Sequence, residues 1–156
     1  WRALERRYEN GDVRAIGVSN FLPHHLLNLF ASANIRPMVN EIEFHPGYTQ
    51  PYVTEFCRKN GIVLEGWSPI GRGRLLRLPL LREMGARYGK SPALQSGVLP
   101  LPKSSSRARM LENLDVFDFT LSEEDFSRLA TLPQVGWSGK HPDFERWAPE
   151  LEAENR

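Results

Sequence analysis

Four short stretches of the chain concentrate apolar residues in the manner of strands, at residues 13–18, 39–44, 62–67 and 98–101. Behind the first, Leu26, Leu27 and Phe30 recur at helical spacing, and Pro23 suits the first helical position. Behind the second, Val53, Phe56 and Cys57 form an apolar helical stripe, with Thr49 placed to cap it and Gly61 to end it. Behind the third, a glycine-rich turn leads into Leu80, Leu81, Met84 and Tyr88. The residues from Arg107 to Leu114 have the pattern of a short helix after the fourth. The last helix carries the fullest signal: Ser122 to cap it, Asp125 three residues on, and Leu121 with Phe126 for a flanking apolar contact. Trp1 to Asn10 read as the last turns of a helix that starts further upstream, and beyond Pro133 the glycines and prolines interrupt any long helix.

Strand, loop and helix thus repeat, which predicts an α/β fold: a parallel sheet with helices outside it. Four such units fit either an open sheet or part of a closed barrel. We divide the chain into a folded part, residues 1–132, and a carboxy-terminal tail, residues 133–156.

Composition narrows the function classes. With 156 residues, 40% hydrophobic and 25% charged, the chain can bury a real core. Lys and Arg number 20 against 19 Asp and Glu, so no general field favours nucleic acid or an acidic membrane, and any anion site is local. No stretch approaches the roughly 20 apolar residues that cross a bilayer. The single cysteine, Cys57, excludes an internal disulfide and a multi-cysteine metal site, in keeping with a reducing, cytoplasmic setting.

Candidate chemistry gathers where strands end, the usual ligand position in α/β folds. Ser19 and Asn20 follow the first strand and suit an amide or carbonyl; they equally suit a helix cap and turn. Glu41 and Glu43 share parity in the second strand, and His45-Pro46-Gly47 looks like a turn beside them. No compact ligand motif surrounds these three, and no metal is expected. Trp67, Ser68, Ile70, Gly71, Arg72 and Gly73 combine an aromatic for a flat ring with a tight turn whose N–H groups can take phosphate oxygens. A solvated basic turn would need only Arg72 and Arg74. Lys103, Ser104, Ser105, Ser106, Arg107 and Arg109 put hydroxyls and cations at a helix start, again favourable to phosphate. Neither a Walker loop nor a Rossmann fingerprint is present.

Taken in order, the segments 13–21, 39–46, 67–73 and 99–104 resemble the fifth to eighth strands and loops of the aldo-keto reductase family. Arg109, Glu112 and Asn113 follow at that family's spacing, and the resemblance runs from Trp1 through Asp143, including Gly136-Trp137. It implies the last four βα units of a (β/α)8 TIM barrel, and an enzyme class that reduces aldehydes or ketones with NADPH, less often NADH. It further implies Ser19 and Asn20 at the nicotinamide carboxamide, Trp67 against the nicotinamide ring, and Ser68, Ile70, Gly71, Arg72 and Gly73 along the pyrophosphate. Lys103, Ser104 and Arg109 would face the adenosine phosphate, Glu112 and Asn113 the adenine, and Trp137 the substrate pocket.

Three departures qualify this expectation. The family commonly has Gln where this chain has Glu41; an ionised Glu only accepts hydrogen bonds, and its charge favours the oxidised over the reduced nicotinamide. The segment 91–97 makes the crossover to the fourth strand about two helical turns shorter than in relatives. Last, the family sets its catalytic Asp, Tyr, Lys and His on the first four barrel strands, and Tyr8, Tyr48 and His45 do not match them, so no catalytic residue is assigned. The expected function is NADP-dependent carbonyl reduction in the complete enzyme, with a small carbonyl substrate only where the missing half is present. The alternatives are a non-catalytic cofactor-binding or assembly half-barrel, self-associating through exposed strand edges, and an inactive truncated product.

Overall fold

A computed structural model describes residues 1–88, 98–114, 120–134, 136–137 and 141–143. Helix α1 (Arg2–Glu9) precedes strand β1 (Gly17–Ser19), helix α2 (Pro23–Phe30), strand β2 (Val39–Glu43), helix α3 (Pro51–Lys59) and strand β3 (Val63–Trp67). Two 3-10 turns then lead to α4 (Pro79–Tyr88), β4 (Leu99–Leu101), α5 (Arg107–Leu114) and α6 (Glu123–Ala130). All strand pairs are parallel and the sheet order is β1-β2-β3-β4. A doubly wound sheet reverses its strand order at a switch point; unbroken consecutive order is that of a barrel segment.

Strand β1 is shorter than its apolar pattern predicts. Its ladder opens where the Ile16 carbonyl accepts from Met38 N–H at 2.8 Å. Further back the neighbouring chain holds Pro37, which has no N–H to give. Gly17 then runs so close to β2 that a Cβ would sit 2.7 Å from the Val39 carbonyl oxygen. No larger residue fits there without moving the strand.

Alternate residues of the sheet face its helices. Ile42 and Leu64 on that face join Leu26 of α2, Val53 and Cys57 of α3, and Phe44 in the main core. The buried Asn40 lies on the same face and binds like a piece of backbone: its Nδ2 donates to the Phe21 carbonyl at 2.8 Å and its Oδ1 accepts from Phe21 N–H at 3.3 Å. The opposite, concave face is open. Val63, Leu99 and Leu101 are 49%, 57% and 41% exposed along it.

Proline sets the start of α3, and it displaces the expected cap. With Pro51 at the first helical position, Gln50 rather than Thr49 becomes the N-cap, at a left-handed φ of 46°. The Gln50 side chain donates inward to the Glu43 carbonyl, and Thr49 bonds Gln134 instead. Gly61, at φ 68°, follows the helix end as expected. In α6 the Ser122 hydroxyl accepts from Asp125 N–H at 3.1 Å, while Leu121 enters a second core with Leu75, Leu81, Met84 and Leu129. Phe126, expected to meet Leu121, stands 45% exposed and outside that core. The shortened crossover at 91–97 lies outside the described residues, as does the tail beyond residue 143.

Two buried carboxylates tie helices down. Glu5 of α1 accepts from Asn34 N–H and Ile35 N–H at 2.6 and 2.9 Å. Asp125 of α6 accepts from the Tyr88 hydroxyl at 2.6 Å, Arg87 at 2.7 Å and Arg128 at 3.2 Å, joining α4 to α6. The Ile35 N–H is the largest influence holding the Glu5 carboxyl below its usual range, and the Tyr88 hydroxyl does the same for Asp125, both against desolvation. A carboxyl with a depressed folded pKa contributes stability that is complete above its unfolded pKa, about 4, and lost as pH falls through the folded value. We therefore expect urea midpoints to fall from about pH 4 downward. Asp125→Asn should lower the midpoint at pH 7 and flatten that acid limb; an acid limb unchanged by the substitution would remove Asp125 from it.

Candidate functional site

Parallel pairing in register delivers every strand's carboxyl end to one rim. Cross-strand rows on the concave face run Ser19–Glu41–Glu65–Leu99 and then Glu43–Trp67–Leu101. The β1 loop leaves this rim in a strained conformation, with Asn20 at φ 57°. Four bonds hold it. Asn20 N–H and the Ser19 hydroxyl both donate to the Glu41 carbonyl, at 2.8 and 3.2 Å. The Asn40 amide brackets the next residue, Phe21. From the third strand, Trp67 Nε1 donates to Asn20 Oδ1 at 2.9 Å.

That last bond has a chemical consequence. It occupies the acceptor end of the Asn20 amide and leaves the NH2 end as the donor available to a ligand. Ser19, Asn20, Trp67, Arg72, Trp137 and Pro142 line a cavity of about 710 Å³. The α2 residues His25, Asn28 and Leu29 complete this lining, with Phe21.

Past Trp67 the chain winds tightly. Ser68, Gly71, Arg72 and Gly73 all have positive φ, between 52° and 84°. Gly71 N–H bonds the Ser68 carbonyl at 2.7 Å, and Gly73 N–H bonds that of Ile70 at 2.9 Å. This winding carries Arg72 to the cavity and sets the other members of the turn outside its lining. Lys103 and Ser104 follow β4 at the same rim as Ser19 and Trp67, where the Ser104 hydroxyl accepts from Ser106 N–H at 3.1 Å. Arg109, Glu112 and Asn113 lie on α5, a helix with no buried residue.

Of the residues expected at a site, the cavity gathers Ser19, Asn20, Trp67, Arg72 and Trp137. Glu41, Ser68, Ile70, Gly71, Gly73 and the whole Lys103–Asn113 group lie outside its lining. Glu41 stands beside Glu65, its register partner on the concave face. His25 and Pro142 were not singled out by the sequence. The His24-His25 pair was the one available signal, and its meaning depends on a residue far away in the chain.

Behind the Trp137 wall lies a buried pair. His45 Nε2 is 3.4 Å from Glu43 Oε1, and both side chains are inaccessible. Burial lowers the His45 pKa, opposed by the Glu43 charge; burial and Glu43 together raise the Tyr48 phenol. The expected turn at His45-Pro46-Gly47 is closed by mutual backbone bonds between His45 and Tyr48. The Tyr48 ring lies 5.5 Å from Trp137, and Trp137 lies 6.0 Å from Trp67.

The comparisons agree on one family. Residues 1–133 match the aldo/keto reductase family model. The chain is 45% identical over 150 residues to a glyoxal reductase of Bacillus subtilis, covering 92% of this chain and 54% of that protein. Among solved structures, it is similar to a point mutant of Gox0644 in complex with NADPH (TM-score 0.87, 34% identity, covering 94% of this chain and 57% of that one). It is similar also to an aldo-keto reductase of the silkworm Bombyx mori complexed with NADPH (TM-score 0.81, 32% identity, covering 90% and 48%). The chain spans about half the length of the curated relatives it matches.

The Trp67–Asn20 bond is open to direct measurement. A double-mutant cycle of Trp67→Phe and Asn20→Gly keeps a ring and tolerates the positive φ, and the cycle cancels each change's private effects. Urea unfolding should give a coupling of about 0.5–1.5 kcal/mol, the net value of one such bond. Zero coupling would show that the indole does not orient the amide.

Proposed function

The chain belongs to the aldo/keto reductase family, and from that premise we propose that it supplies the cofactor-binding half of an NADPH-dependent carbonyl reductase. The observation that carries the reading is the rim arrangement of Ser19, Asn20 and Trp67, with the Asn20 amide held donor-outward by the indole. A nicotinamide carboxamide oxygen needs such a donor, and a flat aromatic next to it offers a stacking surface. The residues present therefore fit the group. When bound, the dinucleotide supplies a hydride for an aldehyde or ketone carbon.

In this reading the chain's own residues bind and orient. Ser19 and Asn20 hold the carboxamide, and Trp67 faces the ring. Arg72, with Ser68, Ile70, Gly71 and Gly73, takes the pyrophosphate side. Lys103, Ser104 and Arg109 take the adenosine phosphate, Glu112 and Asn113 the adenine, and Trp137 borders the substrate. Glu41 fits less well, since an ionised carboxylate accepts but does not donate. The proton required by a new alkoxide is assigned to the family's Tyr, which has no matching position in these 156 residues. A small carbonyl compound meets a complete site only with the other half in place.

A second reading is favoured by the open concave face. Val63, Leu99 and Leu101 present apolar surface there, as a half-barrel serving assembly or self-association through its sheet edges would.

Titrating NADPH against the chain, and against the chain restored to full length, separates these readings. The restored protein should bind NADPH and oxidise it with an aromatic aldehyde. Trp67→Ala should weaken binding about tenfold or more, as loss of a stacking face does. The 156-residue chain alone should show no aldehyde-dependent turnover. Turnover by the short chain, lost on Trp67 substitution, would overturn the half-site assignment; a restored protein blind to NADPH would overturn the cofactor. Separately, Arg109→Ala should weaken NADPH more than NADH, by about 10-fold or more, because charge-assisted bonds to the extra phosphate are worth roughly 1.5–3 kcal/mol. Equal losses for both cofactors would exclude a phosphate-selective role.

A further inference from the structure

Part of the cavity's lining belongs to the tail, and the tail is fastened at both of its described ends. At one end the Thr49 N–H donates to Gln134 Oε1 at 3.0 Å. At the other, Asp143 reaches α2. Its Oδ1 lies 3.0 Å from His24 Nε2 and 3.1 Å from His25 Nε2, while its backbone N–H donates to His141 Nδ1 at 3.3 Å. Between these fastenings, Trp137 and Pro142 line the cavity, and the His141 ring meets Trp137 edge-on at 5.8 Å.

Two imidazoles and a carboxylate, those of His24, His25 and Asp143, bring their ligand atoms within 4.8 Å of one another and resemble a metal centre, but the hydrogen bonding of His25 assigns its protons otherwise. His25 Nδ1 accepts from Leu22 N–H at 3.1 Å and so caps α2. A neutral imidazole that accepts at Nδ1 carries its hydrogen on Nε2. That hydrogen points at Asp143, and a metal ion would need the lone pair it occupies.

We propose that His25 and Asp143, with His24 on the same carboxylate, are positioning residues: they clasp the tail onto α2 and thereby hold Trp137 in the lining of the cavity. The clasp is independent of the cofactor reading. Its influence on ligand access rests on that reading.

The His25 ring is the titratable group at the centre of the clasp. The titratable groups facing that ring are His24, His141 and Asp143, and the Phe21 ring packs edge-on at 5.7 Å. Burial, then the neighbouring His24, lowers the His25 pKa, and His141 adds to this; Asp143 opposes it. Protonation also puts a hydrogen on Nδ1 and ends its acceptance from Leu22. His24 and the Leu22 N–H belong to α2 and stay beside the ring whether or not the tail is seated, while Asp143, which the tail brings, favours the protonated ring.

Hydrogen–deuterium exchange on the 156-residue chain tests this without any ligand. At pH 7.5, Asp143→Asn should speed exchange across residues 134–143 about tenfold or more, as loss of charge-assisted bonds would. The β2 peptide should stay protected, which separates local release from unfolding. His25→Ala should speed exchange in the same segment. Equal tail protection in Asp143→Asn would overturn the clasp. So would Zn2+ added at pH 7.5 protecting the tail of wild type but not of Asp143→Asn, since the groups would then form a metal site. In the restored enzyme, Asp143→Asn should raise KM for the carbonyl substrate at pH 7.5 more than it lowers kcat. A restored enzyme that fails to bind NADPH would defeat the cofactor reading and leave the exchange result standing.

Discussion

Parallel pairing is the constraint on which the remainder depends. Because β1 to β4 all run the same way in register, Ser19, Trp67 and the Lys103 segment emerge at one rim. The same direction forces each connection to cross back over one face, and helices α2 and α3 fill that face with Leu26, Val53 and Cys57. Asn40 joins the two consequences. Buried within the helix-side layer, it satisfies both backbone groups of Phe21 and so fixes the loop that carries Asn20 to the site.

The two faces of the sheet differ in kind. The helix side is packed and apolar, apart from the satisfied Asn40. The concave side sets Glu41 beside Glu65 and leaves Val63, Leu99 and Leu101 in contact with solvent. Like charges at paired positions are unfavourable, and exposed apolar rows are rarely left uncovered. Both features belong to a surface that faces the inside of a closed barrel, in keeping with a chain about half the length of its relatives.

Part of the architecture was legible from local rules. Pro23 and Pro51 open helices because a residue without an N–H costs nothing at the first helical position. Ser122 caps α6 because its hydroxyl replaces a missing helical partner. Thr49 obeyed the same rule on paper, and the fold assigned it elsewhere: Gln134 needed a donor and Gln50 could reach the Glu43 carbonyl. The first strand was overestimated for a related reason. Its apolar pattern continues upstream, but Pro37 on the neighbouring segment cannot extend the ladder.

The sequence by itself determined the succession of strands and helices, their parallel arrangement, the rim position of Ser19, Trp67 and Lys103, and the family resemblance that the comparisons then established. Those properties follow from periodicity and from short motifs, which act over a few residues. Only the tertiary structure decided that the Trp67 indole turns the Asn20 amide, that Glu41 lies beside Glu65, and that Asp143 returns to His24 and His25. Each of these joins residues far apart in the chain, 47 positions for Trp67 and Asn20 and 119 for His24 and Asp143. Hydrogen-bond geometry at such separations is fixed by packing of the whole sheet, and no local pattern of residue types encodes it.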